Sequence, residues 1–431
     1  MSEIYQVSLV LLQIIIGVAT GVALIHFTVI LLTRTIAGPV RPRVPDHPLR
    51  YVFMVPALNE ELVIADTVER LLAIPGDVSV LVIDDGSTDD TASIVRAMQR
   101  QDDRVKLLQR VAPEARQGKG KALNVGYRQI AQWAREEGID PDHVIVCVMD
   151  ADGLLDSHVL SEVDGLFGHE DMGAVQIGVR IVNRESLLGR LQDIEFFVYA
   201  RIYQQGRNHL GSVGLGGNGQ FTRLSALLSL GDEPWTECLT EDLDLGLQLL
   251  LKGWRLAFTD RAYVHQQGLV SLTRLARQRT RWVQGYFQSW RRIPAVTLMK
   301  GHLYSVVDLL YCLMWPAVSC LVLPIAIILS WIVVGYNVAT MDVSLGTWLG
   351  VLAVGYVFAF GTSFMLGLNY RATSADISLP RTIVLIHSIG LFQFVWAVAG
   401  WRSLYRVIRG QGSWAKTERV APVASESSSV A

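Results

Sequence analysis

Four apolar runs, at residues 8–32, 303–334, 345–368 and 383–401, limit what this chain can become more than any other feature. Each approaches or exceeds the roughly 20 residues of helix that cross a bilayer's hydrocarbon layer. A chain carrying them cannot bury all its apolar surface in one water-soluble core. Between the first and second runs lies a long segment of ordinary globular make-up. The totals reflect this mixture: 51% hydrophobic residues and a mean hydropathy of +0.32 exceed what a soluble enzyme carries, and 18% charged residues exceed what a bare membrane bundle carries. The expected division is an N-terminal transmembrane anchor at 1–33, a proline-marked linker at 34–50, a globular domain at 51–265, an interfacial helix segment at 266–302, membrane helices at 303–405 and a polar tail at 406–431.

The first run has only Glu3 ahead of it and is too long for the apolar core of a cleaved signal, so it reads as a retained anchor. Arg34, Arg41, Arg43 and Arg50 follow it, and the positive-inside rule puts the N-terminus outside and the globular domain in the cytoplasm. The expectation is a multi-pass protein of the plasma or inner membrane. A single crossing by 303–334 would leave Arg371 and Arg381 inside, and Arg402, Arg406, Arg409, Lys416 and Arg419 outside, against the charge bias. Two crossings, broken at Pro316 or Pro324, would restore it, and a cytoplasmic tail is the favoured reading. The net charge of -2 gives no basic face for nucleic acid. Cys147, Cys238, Cys312 and Cys320 have neither zinc spacing nor disulfide density, so they read as reduced structural thiols.

From residue 51 to about 260, short apolar segments alternate with helical patterns, which predicts an α/β fold with a mostly parallel sheet. Strands are expected at 51–55, 80–83, 105–108, 144–149, 174–182 and 254–258, and helices at 62–73, 91–101, 121–136 and 242–251. No GxGxxG or GxxxxGK[ST] string occurs, so neither a dinucleotide fold nor a phosphate-loop ATPase is indicated. Residues 187–203 and 272–290 mix aromatics with charges, as helices lying in a headgroup interface do, although a helix packed on the domain would look similar.

Two of the expected strands end in acid. Val144 to Met149 runs into Asp150-Ala151-Asp152, and Val80 to Ile83 runs into Asp84-Asp85-Gly86. Open α/β sheets bind ligands beyond the carboxyl ends of their strands, so these carboxylates stand where a metal-assisted nucleotide site belongs. Plain acidic turns capping the next helix are the competing account. Further on, Thr240-Glu241-Asp242 opens a helix, and Gln278, Arg281 and Trp282 stand at i, i+3 and i+4 on another.

That ordered set, flanked by membrane helices, resembles the inverting family-2 glycosyltransferases that include cellulose, hyaluronan and chitin-oligosaccharide synthases. Gly216-Gly217-Asn218-Gly219-Gln220-Phe221 is also similar to a segment of the family's glycolipid synthases, which glucosylate diacylglycerol. The resemblance implies a GT-A-like nucleotide-sugar domain, a UDP-sugar donor and Mg2+ or Mn2+. It implies Asp152 as the direct metal ligand and Asp150 nearer the ribose or the metal's water shell. Ala57, Asn59 and Glu60 match the opening nucleotide loop, and Asp84 and Asp85 the uracil and ribose contacts. Lys119, Lys121 and Asn124 stand where nucleotide or phosphate would meet a helix start, a solvated helix start being the alternative for the lysines. Gly217 and Asn218 would face the acceptor. Trp414 to Arg419 is loosely similar to loops that close over the nucleotide, which requires the cytoplasmic tail.

An acceptor hydroxyl must lose its proton as it attacks the anomeric carbon, and Asp242 is the candidate base, with Glu241 supporting its loop. Arg281, beside Gln278, would stabilise the developing diphosphate charge, and Trp282 would offer a ring for sugar stacking. Arg274, Arg277, Arg279, Arg291 and Arg292 are expected to attract lipid headgroups instead. The leading expectation is transfer to a growing β-linked polysaccharide. Single addition to diacylglycerol or another lipid is the close alternative. A non-catalytic sugar-nucleotide sensor is a third, and the presence of every expected carboxylate speaks against it.

Overall fold

The computed structural model describes residues 2–37, 40–340, 344–374 and 377–411. After helix α1 (Ser2–Ala37), strands β1 (Arg50–Ala57), β2 (Asp77–Asp84), β3 (Val105–Gln109) and β4 (Val144–Val148) alternate with helices α2 (Ile64–Leu72), α3 (Thr91–Gln99) and α4 (Lys119–Glu136). These strands are parallel and lie in the order β3-β2-β1-β4. The side chains of β1, β2 and β4 are mostly apolar and buried on both faces, as a sheet sandwiched between helices demands. In register, Ala57 pairs with Asp84, which brings the β1 and β2 tips to one edge.

The second half follows as β5 (Leu154–Leu155), α5 (Val159–Phe167), β6 (Met172–Ile181), α6 (Leu187–Asp193), α7 (Ala200–Leu210), β7 (Gln220–Arg223), α8 (Leu224–Leu228), α9 (Glu241–Leu251), β8 (Arg255–Gln266), α10 (Leu272–Ser289) and α11 (Ile293–Thr297). A π-helical turn, Ile194–Tyr199, joins α6 to α7. The sheet is mixed: β6 and β8 pair parallel, β7 lies antiparallel between β4 and β6, and β5 pairs antiparallel with β8. The sequence hides β7 because its four residues, Gln-Phe-Thr-Arg, close a glycine loop and carry no apolar run. Buried residues of the two sheet faces form separate clusters, one against α2 and α5, the other against α4, α8 and α9.

Helices α12 (Leu303–Thr340), α13 (Leu345–Thr373) and α14 (Leu379–Ile408) follow. Among the described residues two segments, Leu303–Val322 and Leu379–Ile408, are long and apolar enough to cross a membrane. A third candidate is α13, bent by 47° between Val357 and Ala359, and in α1 the apolar stretch is Gly21–Ile36. The 187–203 segment packs on these helices: Leu191, Ile194, Phe197, Val198 and Ile202 share a cluster with Ile30, Leu366, Tyr370, Leu385 and Ile389. Helix α10 packs along α14, with Arg406 donating to Gln284 at 3.1 Å. The Trp414–Arg419 segment and the end of the polar tail lie outside the described residues.

Candidate active site

At the β1 and β2 tips the loops brace one another. Asn59, held at φ 55°, donates its main-chain N–H to Ser87 Oγ (2.9 Å) and accepts from the Thr88 N–H (2.8 Å), while Glu60 N–H donates to Thr91 Oγ1 (2.8 Å). Ala57 O accepts from Asp85 N–H at 2.9 Å. Asp84 is buried and accepts from Ser87 N–H (2.9 Å) and Gln109 Nε2 (3.2 Å). Asp85 accepts from Arg110 Nη1 (2.5 Å) and from Arg116 N–H (3.0 Å). Burial raises its pKa, and the Arg116 N–H and Arg110 guanidinium oppose that rise. Sequence reasoning missed Arg110, although it follows β3 directly and so stands at a strand tip.

Two strands along, the turn Asp150-Ala151-Asp152 leaves β4. Thr67 of α2 pins it by donating to Ala151 O at 2.6 Å, and Asn218 Oδ1 accepts from Asp150 N–H at 3.1 Å. With β1 between them, the β2 and β4 tips stand about 10 Å apart at ordinary strand spacing. Lys119, at the first turn of α4, donates to Asp150 Oδ1 (2.8 Å) and to Gly217 O (2.9 Å). Desolvation works against its charge, but Asp150, Glu241 and Asp242 outweigh it and hold the ammonium above its usual value.

The glycine loop 216–219 is fixed from beneath by Gln176, a buried amide in β6. It accepts from Gly216 N–H at 2.8 Å and donates to Asn218 O at 2.9 Å. A polar residue inside an apolar strand was the available signal for it. Asn218 is held between Asp150 N–H and Gln266 Oε1. Gly217 is small because of what faces it: a Cβ there would lie 3.2 Å from Asp242 Oδ2 and 3.4 Å from Lys119 Nζ. Asp150, Lys119, Gly217 and Asp242 therefore form one continuous cluster.

Glu241 and Asp242 begin α9, where the helix dipole favours acid. Asp242 Oδ1 accepts from Leu243 N–H at 2.8 Å, leaving Oδ2 toward Gly217 and Lys119. Desolvation, followed by repulsion from Asp242, pushes Glu241 up to about 7 against the opposing pull of Lys119 and Arg281. Burial raises Asp242 as well, with the Leu243 N–H, Lys119 and Arg281 opposing it. Arg281 thus reaches the pair from α10, and its buried Nε has no hydrogen-bond partner among the described residues. Helix α10 gets this close because Gly285 meets Thr240, where a Cβ would lie 2.3 Å from Oγ1.

Other expected site residues are engaged elsewhere. Asn124 exchanges hydrogen bonds with the main chain of Trp235 (2.7 and 3.0 Å), and so holds the loop before α9. Lys121 pairs with Glu233 (3.3 Å) and Glu237 (3.5 Å). Gln278 accepts from Arg279 Nη1 at 2.5 Å. The Arg279 guanidinium covers Trp282 at 3.9 Å, and Phe196 and Trp396 flank that ring, so this face of Trp282 joins α10 to α14. The expectation that Arg279, Arg291 and Arg292 meet lipid headgroups is corrected. Arg279 is fully buried against Glu195, and Arg291 and Arg292 bind the buried Asp244 of α9 at 3.1 and 2.9 Å.

Asp150 and Asp152 bear on metal binding. Among the described residues no group of three or more His, Cys, Asp or Glu could hold an ion alone. A hard divalent cation takes six or more oxygen ligands, so this carboxylate pair fits a sphere completed by phosphate oxygens and water.

Residues 47–285 match the family described as glycosyltransferase like family 2, more than half of the chain. The chain belongs to glycosyltransferase family 2. Its sequence is 36% identical over 245 residues to beta-monoglucosyldiacylglycerol synthase of Nostoc sp., covering 55% of this chain and 49% of that protein. It is 33% identical over 304 residues to the Synechocystis sp. enzyme of the same name, covering 66% and 60%. Poly-beta-1,6-N-acetyl-D-glucosamine synthase of Staphylococcus aureus is 28% identical over 269 residues, covering 59% and 61%. The chain thus spans about half the length of the Nostoc relative. A mannosyltransferase from Pyrobaculum calidifontis, solved with GDP-Man and Mn2+, superposes over 91% of this chain and 99% of its own at TM-score 0.59 and 17% identity. This family-2 chain therefore has the GT-A-like fold expected of it, with a mixed sheet.

Proposed function

We propose that this family-2 protein is a membrane-embedded inverting glycosyltransferase that moves one sugar from a UDP-sugar to the hydroxyl of a membrane lipid. The observation that carries the reading is the cluster of Asp242, Glu241, Lys119, Asp150 and Arg281, two raised carboxylates facing two cations beside Gly217. Asp242 Oδ2 accepts the proton of the acceptor hydroxyl, which attacks from the side opposite the nucleotide, so an α-linked donor gives a β product. Arg281 and Lys119 offset the charge that grows on the leaving diphosphate. The braced Asn59, Glu60, Asp84 and Asp85 loops take the uridine side, and Gly217 and Asn218 border the acceptor. Asp152 and Asp150 would hold Mg2+ or Mn2+, whose chemistry is to neutralise the diphosphate as it leaves. The arginines after α1 support a cytoplasmic setting for this domain.

The lipid acceptor is favoured by the Nostoc and Synechocystis relatives, each named beta-monoglucosyldiacylglycerol synthase and above 30% identical. A growing β-linked polysaccharide is the second reading, favoured by the staphylococcal relative. Purified protein in lipid nanodiscs, given labelled UDP-sugars and dioleoylglycerol with and without chelator, separates them. One discrete chloroform-soluble product that disappears with chelator is expected. Products of growing length would replace the lipid reading with the polymer one, and turnover of GDP-sugars alone would overturn the donor.

A further inference from the structure

Helix α10 is gripped from two sides, and the transfer chemistry described above uses only one of them. Gln278, Arg281, Gly285 and Gln288 recur at i, i+3, i+7 and i+10, so they share one face. That face lies on the residues that lead into the two acids of α9. Gly285 meets Thr240, and Gln288 Oε1 accepts from Leu239 N–H at 2.8 Å. Arg281 stands one turn before Gly285, so the setting of α10 along this contact decides where its guanidinium reaches.

The other side is held by the π-helical turn and by α14. Glu195, in the turn Ile194–Tyr199, accepts from Arg279 Nη2 and, through its second oxygen, from Trp396 Nε1 at 2.9 Å. Turns of this kind recur at functional sites. Arg279 is fully buried; its Nη1 donates to Gln278 Oε1 at 2.5 Å and its guanidinium covers the Trp282 ring at 3.9 Å. Phe196, the neighbour of Glu195, meets the same ring edge-on with centres 6.0 Å apart. One guanidinium thus fixes an amide on the acid-facing side of α10 and an indole beside it. As a means of packing helices this is poor: Arg279 Nε has no hydrogen-bond partner among the described residues, and apolar side chains of similar volume commonly replace a buried ion pair without loss of stability. An apolar pair could not orient Gln278 or hold the Trp282 ring flat. Both of those residues are only half-buried, which leaves them open to a ligand.

We propose that Glu195 and Arg279 are positioning residues for glycosyl transfer: braced on Trp396, they fix Gln278 and Trp282, and with them the setting of Arg281, for the sugar that is moved. This rests on the transferase reading above and adds residues that act through α10 without touching substrate. Trp396 lies in a segment able to cross a membrane, so the brace also ties the reaction centre to that helix.

The full chain in nanodiscs containing dioleoylglycerol provides the test, with two variants that leave no charge unpaired. Arg279→Lys keeps the ion pair but loses the flat guanidinium over Trp282. Glu195→Gln combined with Arg279→Met removes the pair and keeps an acceptor for Trp396. Each is expected to melt within about 3 °C of wild type and to bind UDP within about twofold. Their kcat for transfer from labelled UDP-sugars should fall at least about tenfold, as a small misplacement at the reacting atoms makes it do. Transfer near wild type in the double variant would overturn the proposal. So would a melting temperature that falls in step with kcat in both variants, the mark of a pair that only packs helices. A wild type that transfers nothing to lipid or polymer would refute the transferase reading instead, and amide exchange then decides on the brace. Exchange at residues 276–284 about tenfold faster in both variants, with 241–251 unchanged, would retain it, and unchanged exchange at 276–284 would refute it.

Discussion

Two pairs of acids stand at the sheet's edge region, and they are treated in opposite ways. Asp84 and Asp85 are met on every side: Ser87 N–H, Gln109, Arg110 and Arg116 N–H bind their oxygens. Glu241 and Asp242 are buried beside each other with cations near but few direct hydrogen bonds, and Glu241 is pushed up to about 7. A satisfied pair is a finished receptor wall, its oxygens held in place by fixed donors. An unsatisfied pair is held in a state that a proton, a substrate or a counter-charge relieves, and perturbed carboxylates of this kind mark reaction centres. The contrast assigns binding to the first pair and chemistry to the second.

Removing the reactive member should break the contrast most visibly. Asp242→Asn keeps the shape and UDP affinity but loses about a thousandfold in transfer rate, measured by product formation beside UDP titration calorimetry. Arg281→Lys keeps the charge but not the guanidinium aimed at the site. Its kcat is expected to fall about a hundredfold, with the donor KM changed much less. Gly217→Ala would set a methyl 3.2 Å from Asp242 Oδ2, and transfer should fall about tenfold, the cost of a small misplacement at the reacting atoms. On the satisfied side, Arg110→Gln unpairs Asp85. The effect should be smaller and of another kind: UDP affinity about tenfold weaker, with kcat at saturating donor near wild type. A large kcat loss in Arg110→Gln would dissolve the division of labour.

Much of this was legible in the sequence, for identifiable reasons. Apolar runs ending in acid announce strand tips, so β1, β2 and β4 and their carboxylates were readable from period and composition alone. The second half was less so. Strand β7 carries no apolar run, and its antiparallel setting depends on Gln176 fixing the glycine loop from a neighbouring strand. The arginines of α10 and of the turn after it all look alike in sequence, whereas their surroundings separate them: Arg281 faces the carboxylates, Arg279 lies buried on Glu195, and Arg291 and Arg292 clamp Asp244. Asn124 and Lys121 stand near a helix start where nucleotide or phosphate was expected, yet their side chains hold the 231–240 loop. His26 and Asp308 are 282 residues apart, and local pattern carries no trace of their pairing.

The most direct test of the unsatisfied pair is the pH dependence of kcat/KM for wild type and Glu241→Gln. The base must be ionised to act, and burial raises its pKa, so wild-type activity should fall with decreasing pH sooner than an ordinary carboxylate would make it, with Glu241 beside it pushed up to about 7. In Glu241→Gln the repulsion is gone, and the same limb should move to lower pH. A limb that stays in place in the variant, or a wild-type profile flat from about pH 5.5 to 8.5, would contradict a proton held between Glu241 and Asp242.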